Sequence, residues 1–200
     1  MNQKRESLII IISAPSGSGK TTLVSRLLEK IPGIKRSISY TTREPREGEK
    51  NNEDYVFIAK EEFEERIKKG NFLEWEKNFG NYYGTSKEQF QEAIDKGEDI
   101  ILSIDVKGAR KVKDSIPESI SVFIMPPSVE ELETRLRKRK TDQEKQVSMR
   151  LKESRDEIAS ADEYDYLIIN DDIEKATEEL RTIIEDERNN RKAKEKKDEE

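Results

Sequence analysis

The chain has 200 residues, enough for one domain or a core with insertions, and its 32% hydrophobic content can bury a sizeable interior. Its 38 basic and 44 acidic side chains nearly cancel, so a formal charge of −6 argues against a general nucleic-acid or membrane surface and leaves room for a local anion site. The absence of Cys and His excludes a disulfide framework, a thiol nucleophile, an imidazole base and a Cys- or His-ligated metal.

The run from Leu8 to Ser13 opens the chain as a strand. Its apolar part, Leu8 to Ile12, is too short to span a bilayer and lacks a small-residue cleavage site, so it reads as a buried strand of a cytoplasmic protein. Ala14-Pro15-Ser16-Gly17-Ser18-Gly19-Lys20-Thr21-Thr22 follows at once and leads into a helical pattern over Thr21 to Ile31. This is close to Gly-x-x-x-x-Gly-Lys-Ser/Thr, with Ala14 in place of the first glycine, so that position must do without positive φ. Such a turn converges backbone N–H groups and a helix N-terminus on phosphate oxygens, with Lys20 as a mobile ammonium and Thr21 as a hydroxyl ligand for Mg²⁺. A glycine-rich strand-to-helix turn without a ligand is the plainer alternative.

From Ile34 to Thr85 the alternation of strand and helix breaks. Short aromatic strands at Tyr55 to Ile58, Leu73 to Trp75 and Asn81 to Tyr83 surround a helix over Lys60 to Lys69, the pattern of a small α+β insertion. The alternation then resumes with a helix at Lys87 to Lys96 and nearly continuous apolar strands at Asp99 to Ile104 and Ile120 to Met125, which with Leu8 to Ser13 and Tyr166 to Ile169 predict a parallel sheet whose strands are covered on both faces. Capping boxes at Ser128/Glu131 and Thr141/Glu144 split residues 128–160 into two helices, Ser128 to Lys140 and Glu144 to Ser160. A last strand, Tyr166 to Ile169, precedes a helix from Ile173 that is expected to fray after Glu185 into a solvated charged tail. The fold class is therefore α/β, a doubly wound parallel sheet with a small α+β insertion and a helical lid. Its segments are core 1–33, insertion 34–85, core 86–125, lid 126–155, core 156–185 and tail 186–200. Hinges are expected beside Pro32-Gly33 and Pro126-Pro127.

Arginines cluster in two places. Arg43 and Arg46 flank a proline in a turn, where a helical surface role is excluded and phosphate binding is favoured. Arg135 and Arg139 share one helical face near Arg137 and Arg150, and on residues alone they read as a solvated face paired with Glu. Glu74 alone reads as a strand carboxylate facing water beside core Trp75, and Tyr55 and Tyr83 as core aromatics with wet hydroxyls. Phosphoryl transfer to another phosphate needs charge neutralisation, alignment and exclusion of water, and no strong base, so the missing His is no obstacle.

With the cradle, Ser39-Tyr40-Thr41-Thr42-Arg43-Glu44-Pro45-Arg46, Gly48-Glu49, Asp54-Tyr55-Val56-Phe57 and Gly80-Asn81-Tyr82-Tyr83-Gly84-Thr85, the chain resembles guanylate kinase, a family of P-loop nucleoside monophosphate kinases. The resemblance runs from the cradle to Asn170-Asp171-Asp172. It implies Mg²⁺-dependent transfer of the ATP γ-phosphoryl group to GMP and dGMP by a monomer or homodimer, with no nucleic-acid or membrane partner. By that resemblance the catalytic set is Lys20, Arg43, Arg135, Arg139 and Arg150. ATP is held by residues 14–22 and Asn170, the latter near adenine. In the 34–85 insertion Arg43, Arg46, Tyr55 and Tyr83 hold the GMP phosphate, Ser39, Glu74 and Thr85 read guanine, and Asp105 stands nearby. A carboxylate accepts from the guanine N1–H and amine, where adenine presents the wrong edge. Ser103 replaces the first of two family aspartates, and Asn52 stands where Gly is usual, a place Asn tolerates in a left-handed turn. A catalytically silent protein-binding module of the same fold, and a kinase acting on another monophosphate such as AMP, are the alternatives.

Overall fold

The computed structural model describes residues 6–138 and 144–198. Its centre is a five-stranded, wholly parallel sheet of β1 (Ile9–Ser13), β2 (Ile34–Arg36), β7 (Asp99–Ser103), β8 (Ile120–Met125) and β9 (Tyr166–Ile169), in the order β2-β7-β1-β8-β9. β1 is buried along its whole length, as its unbroken isoleucines require, and period-two geometry sends them to two different layers. Ile10 and Ile12 pack with Leu23 and Leu27 of α1 (Lys20–Lys30) and Leu180 and Ile184 of α7 (Ile173–Asp198). Ile9 and Ile11 pack on the opposite face with Ala93 of α3 (Lys87–Lys96) and Ala109 and Val112 of α4 (Val106–Ser115). Each fully buried Ile, Leu or Val among them contributes roughly 1.5–3 kcal/mol. Connections leave β1 toward one sheet edge and β7 and β8 toward the other, which opens a crevice at the carboxyl end of β1, where the Gly-rich turn begins.

The second sheet has four strands in the order β4-β3-β6-β5: β3 (Tyr40–Thr41), β4 (Val56–Phe57), β5 (Phe72–Asn78) and β6 (Asn81–Ser86). Helix α2 (Lys60–Lys68) lies across it and inserts Phe63, fully buried, between Phe72 at 4.4 Å and Tyr82 at 5.2 Å between ring centroids. Helices α5 (Val129–Lys138) and α6 (Glu144–Ile158) form a hairpin around Leu132, Leu136, Val147 and Leu151. The Ser128 hydroxyl accepts the Glu131 N–H at 3.1 Å, as the first capping box predicts, while the Thr141 box falls outside the described residues.

Three expectations need correction. Residues 34–36 are not part of the insertion, because Ile34–Arg36 pairs in parallel with β7 as the edge of the core sheet. Helix α4 was not expected between Asp105 and Ser115, and it begins with the Asp105 side chain capping the Gly108 N–H at 2.8 Å. The tail does not fray after Glu185. α7 continues to Asp198, and Arg188 donates to buried Asp99 at 2.7 Å and to the Pro32 carbonyl at 3.1 Å, while Arg191 reaches the Ser7 and Glu118 carbonyls. Charge that reads as solvation is here a set of guanidinium anchors.

Candidate active site

One cavity at the carboxyl ends of β1 and β7 is walled by the Gly-rich turn, the four-stranded sheet and α6. Its core wall comprises Ala14 to Gly17 and Gly19 to Thr22. Ala14 takes no positive φ, whereas Gly17 and Gly19 stand at φ +101 and +87, the latter just before α1. A Cβ at Gly17 would come within 3.1 Å of Leu132 and 3.2 Å of Leu136, so the α5–α6 hairpin sits directly on the turn. A Cβ at Gly19 would lie 2.6 Å from Asn170 Nδ2, which donates to the Ser18 carbonyl at 2.7 Å. Asn170 is thus buried behind the turn and braces it, and it does not line the cavity.

Lys20 Nζ donates to the Ile104 carbonyl at 2.8 Å. Burial lowers its pKa below the usual lysine range, and the carboxyls of Asp105, Glu157 and Glu74 pull it partly back. Asp105 already uses both oxygens, one on the Gly108 N–H and one on the Asn78 amide. Thr21 and Thr22 point exposed side chains toward the cavity from the first turn of α1.

The opposite wall carries Ser39, Arg43, Arg46, Tyr55, Glu74 and Tyr83. Arg43 donates to Glu49 at 2.9 Å and lies 5.4 Å from the Tyr55 ring centroid, and the other Glu49 oxygen accepts the Arg46 N–H at 2.7 Å. Tyr55 and Tyr83 meet edge to face at 6.1 Å, and burial raises the Tyr55 pKa above its ordinary value. Glu74 is only 6% exposed and accepts the Thr85 hydroxyl at 2.6 Å. Burial pushes its carboxyl up to about 7, against the Thr85 hydrogen bond. The reading of Glu74 as water-facing beside core Trp75 is therefore inverted: Trp75 is 36% exposed, and Glu74, Glu76 and Asn78 line the cavity from one face of β5. Thr85 is fully buried behind Glu74 and does not itself line the space.

The lid arginines divide. Arg150 on α6 lines the cavity and donates to the Ser16 hydroxyl at 3.3 Å. Arg135 pairs with Glu131 four residues back at 2.9 Å and does not line the cavity, as its helical spacing alone suggests. Arg139 falls outside the described residues. Asn52 adopts φ +64, the left-handed conformation expected of it.

The family model for guanylate kinase matches residues 6–187. The chain belongs to the guanylate kinase family. It is 44% identical over 184 residues to the guanylate kinase of Caldanaerobacter subterraneus subsp. tengcongensis, covering 92% of this chain and 89% of that one. It is 48% identical over 184 residues to that of Neisseria meningitidis serogroup A, covering 92% and 90% of the two chains. The crystal structure of guanylate kinase from Anaplasma phagocytophilum is similar in three dimensions, with a TM-score of 0.77 at 35% identity over 92% of this chain and 88% of the other.

This guanylate kinase cavity also has walls that sequence reading missed. Glu157 lines the cavity near Lys20, and burial pushes its carboxyl up to about 7, against the pull of the Lys20 charge. It lies seven residues beyond Arg150, two turns along the same helical face, but such a spacing is common where 41% of residues are charged. Asn78 and Phe79, with Ser103 in the place of the family aspartate, complete the wall between the two sheets. Among the described residues no helix is long and apolar enough to cross a membrane.

Proposed function

We propose that this cavity is where the chain, as an ATP:GMP phosphotransferase of the guanylate kinase family, brings the two nucleotides together, with ATP on the Lys20 side and GMP on the Glu74 side. The observation that supports the division is that the phosphate cradle and buried Glu74 face one continuous space with Arg43, Arg46 and Arg150 on its walls. Backbone N–H groups of residues 16–22 and the Lys20 ammonium would hold the ATP phosphates. Arg43, Arg46, Tyr55 and Tyr83 would hold the GMP phosphate, and Ser39 and the Glu74–Thr85 pair would read guanine, beside Asp105. The acceptor oxygen is already anionic, so these residues need only align it and neutralise charge as the phosphoryl group moves. Arg150 would add positive charge from α6. Arg135, now turned to Glu131, would join it only when the lid rearranges.

No group of three or more Asp or Glu side chains suited to a metal stands among the described residues. This fits Mg²⁺, which is usually held by substrate phosphates, water and one or two protein oxygens, here the Thr21 hydroxyl at the cradle. Held there, the ion would supply positive charge against the negative charge that develops during transfer. A cytoplasmic location and a monomeric or homodimeric state complete the reading, with dGMP accepted beside GMP and with no nucleic-acid or membrane partner.

A coupled assay of ADP release against GMP, dGMP, AMP and UMP tests it. GMP and dGMP should turn over at least about 100-fold faster in kcat/KM than AMP and UMP. Equal rates with AMP would overturn the role given to Glu74.

A further inference from the structure

Phe79 is a misfit by local rules. It occupies the first of two loop residues joining β5 to β6, with φ +50 followed by Gly80 at +83. Positive φ at both positions is the pattern of a type I′ turn, which strongly favours Asn-Gly. A bulky residue there is a conformational outlier. The ring gains no compensating burial: it is 45% exposed and stands outside the aromatic layer of Phe63, Phe72, Trp75 and Tyr82. Instead it lies at the cavity mouth, with the Arg150 guanidinium carbon 5.3 Å from its centroid. The same guanidinium donates to Ser16 of the phosphate cradle.

Arg150 on α6 therefore bridges the tip of the four-stranded sheet and the Gly-rich turn. We propose that Phe79 is a positioning residue that holds the Arg150 guanidinium over the cavity, so that closure of the β5–β6 tip over the acceptor nucleotide also presents this arginine to the phosphate chain. A flat ring face restrains a planar guanidinium in orientation without neutralising its charge, which a carboxylate in the same place would do. The inference rests on the reading of Arg150 as a phosphate-facing arginine.

Steady-state kinetics and melting of Phe79→Asn, Phe79→Leu and Phe79→Tyr, with Arg150→Ala as reference, test it. Asn suits the turn better than Phe, so Phe79→Asn should melt no lower than the parent. Its kcat should fall roughly three- to tenfold while KM for GMP moves less than about twofold, because the ring acts on the arginine and not on the base. Phe79→Tyr should restore most of kcat, and Phe79→Leu, apolar but without a π face, should not. In the Arg150→Ala background, Phe79→Asn should cost nothing further. If Phe79→Asn keeps full kcat, or Phe79→Leu matches Phe79→Tyr, the role of the ring is overturned while a slow Arg150→Ala variant keeps the reading of Arg150. If Arg150→Ala itself is as fast as the parent, that reading falls and the inference with it.

Discussion

The two ends of the cavity are built by opposite strategies. At the cradle, the proposed phosphate contacts lie in main chain: nine consecutive residues follow a strand buried on every residue, and the turn's conformation is enforced by Gly17 against Leu132 and Leu136 and by Gly19 against Asn170. At the Glu74 end, the proposed contacts lie in side chains gathered from Ser39 to Thr85 on a thin sheet whose strands β3 and β4 have two residues each and whose β5 and β6 carry the rings that stack on Phe63. A rigid backbone cradle suits phosphates, which every nucleotide carries. A side-chain wall suits discrimination, because buried polar groups reject a base that leaves them unpaired.

Substitutions can break this contrast, and the largest effect belongs to the cradle. Lys20→Ala should lower kcat about a thousandfold or more with all acceptors alike, read by the ADP-release assay. Next comes Phe63→Ala, which removes the central ring of the thin sheet and should cost about 3–5 kcal/mol in denaturant unfolding. KM for GMP should rise well beyond any change in KM for ATP, because the core sheet keeps the cradle.

Glu74→Gln should reduce the preference for GMP over AMP by roughly 10- to 100-fold with little change in kcat. It should also flatten a pH dependence. Burial raises the Glu74 carboxyl to about 7 in the ligand-free protein, while guanine needs the ionised form, so KM for GMP should climb as pH falls below about 7 in the parent and not in the variant. The sign for stability is opposite. Between the ordinary carboxylate range and about 7 the folded state holds protons that the unfolded chain has lost, at Glu74 and at Glu157, so ligand-free stability should fall as pH rises through that window. The smallest effect lies far from the cavity: Arg188→Ala should cost about 1–2 kcal/mol of stability by removing a charged hydrogen bond to buried Asp99, with kcat unchanged.

The same contrast explains what could be read in the sequence. The cradle is contiguous, so its residues and its strand and helix are visible in Ile9 to Lys30. The apolar strand β8 and the capped helix α3 fall where their patterns put them, and so does the four-residue β9, but as the sheet edge β9 leaves Leu167 and Ile169 exposed where its apolar run predicts cover on both faces. β2 carries Lys35 and Arg36 and is a strand only because β7 lies beside it. α4 contains Gly108 and three lysines, which blur its helical stripe, and the C-terminal part of α7, beyond apolar Leu180 and Ile184, docks through arginines on main-chain carbonyls where pattern reading looks for apolar anchors. On residues alone Glu74 and Trp75 fall on the wrong faces because the inner face of β5 lines a polar cavity, where hydrophobic alternation inverts. The family resemblance singles out Arg43, Arg46, Tyr55, Glu74 and Tyr83, all of which line the cavity, where alternation could not. Glu157, Asn78 and Phe79 had no signal beyond their types, and the contacts that distinguish them exist only after folding.

The central claim is that two nucleotides meet phosphate to phosphate in one cavity. Adenosine and guanosine joined 5′ to 5′ through five phosphates is the direct probe, titrated by calorimetry alone and against each nucleotide. The account predicts one molecule bound per chain, more tightly than ATP or GMP, and displaced by either. A linked dinucleotide that competes with only one of them, or binds no better than that one, would contradict it.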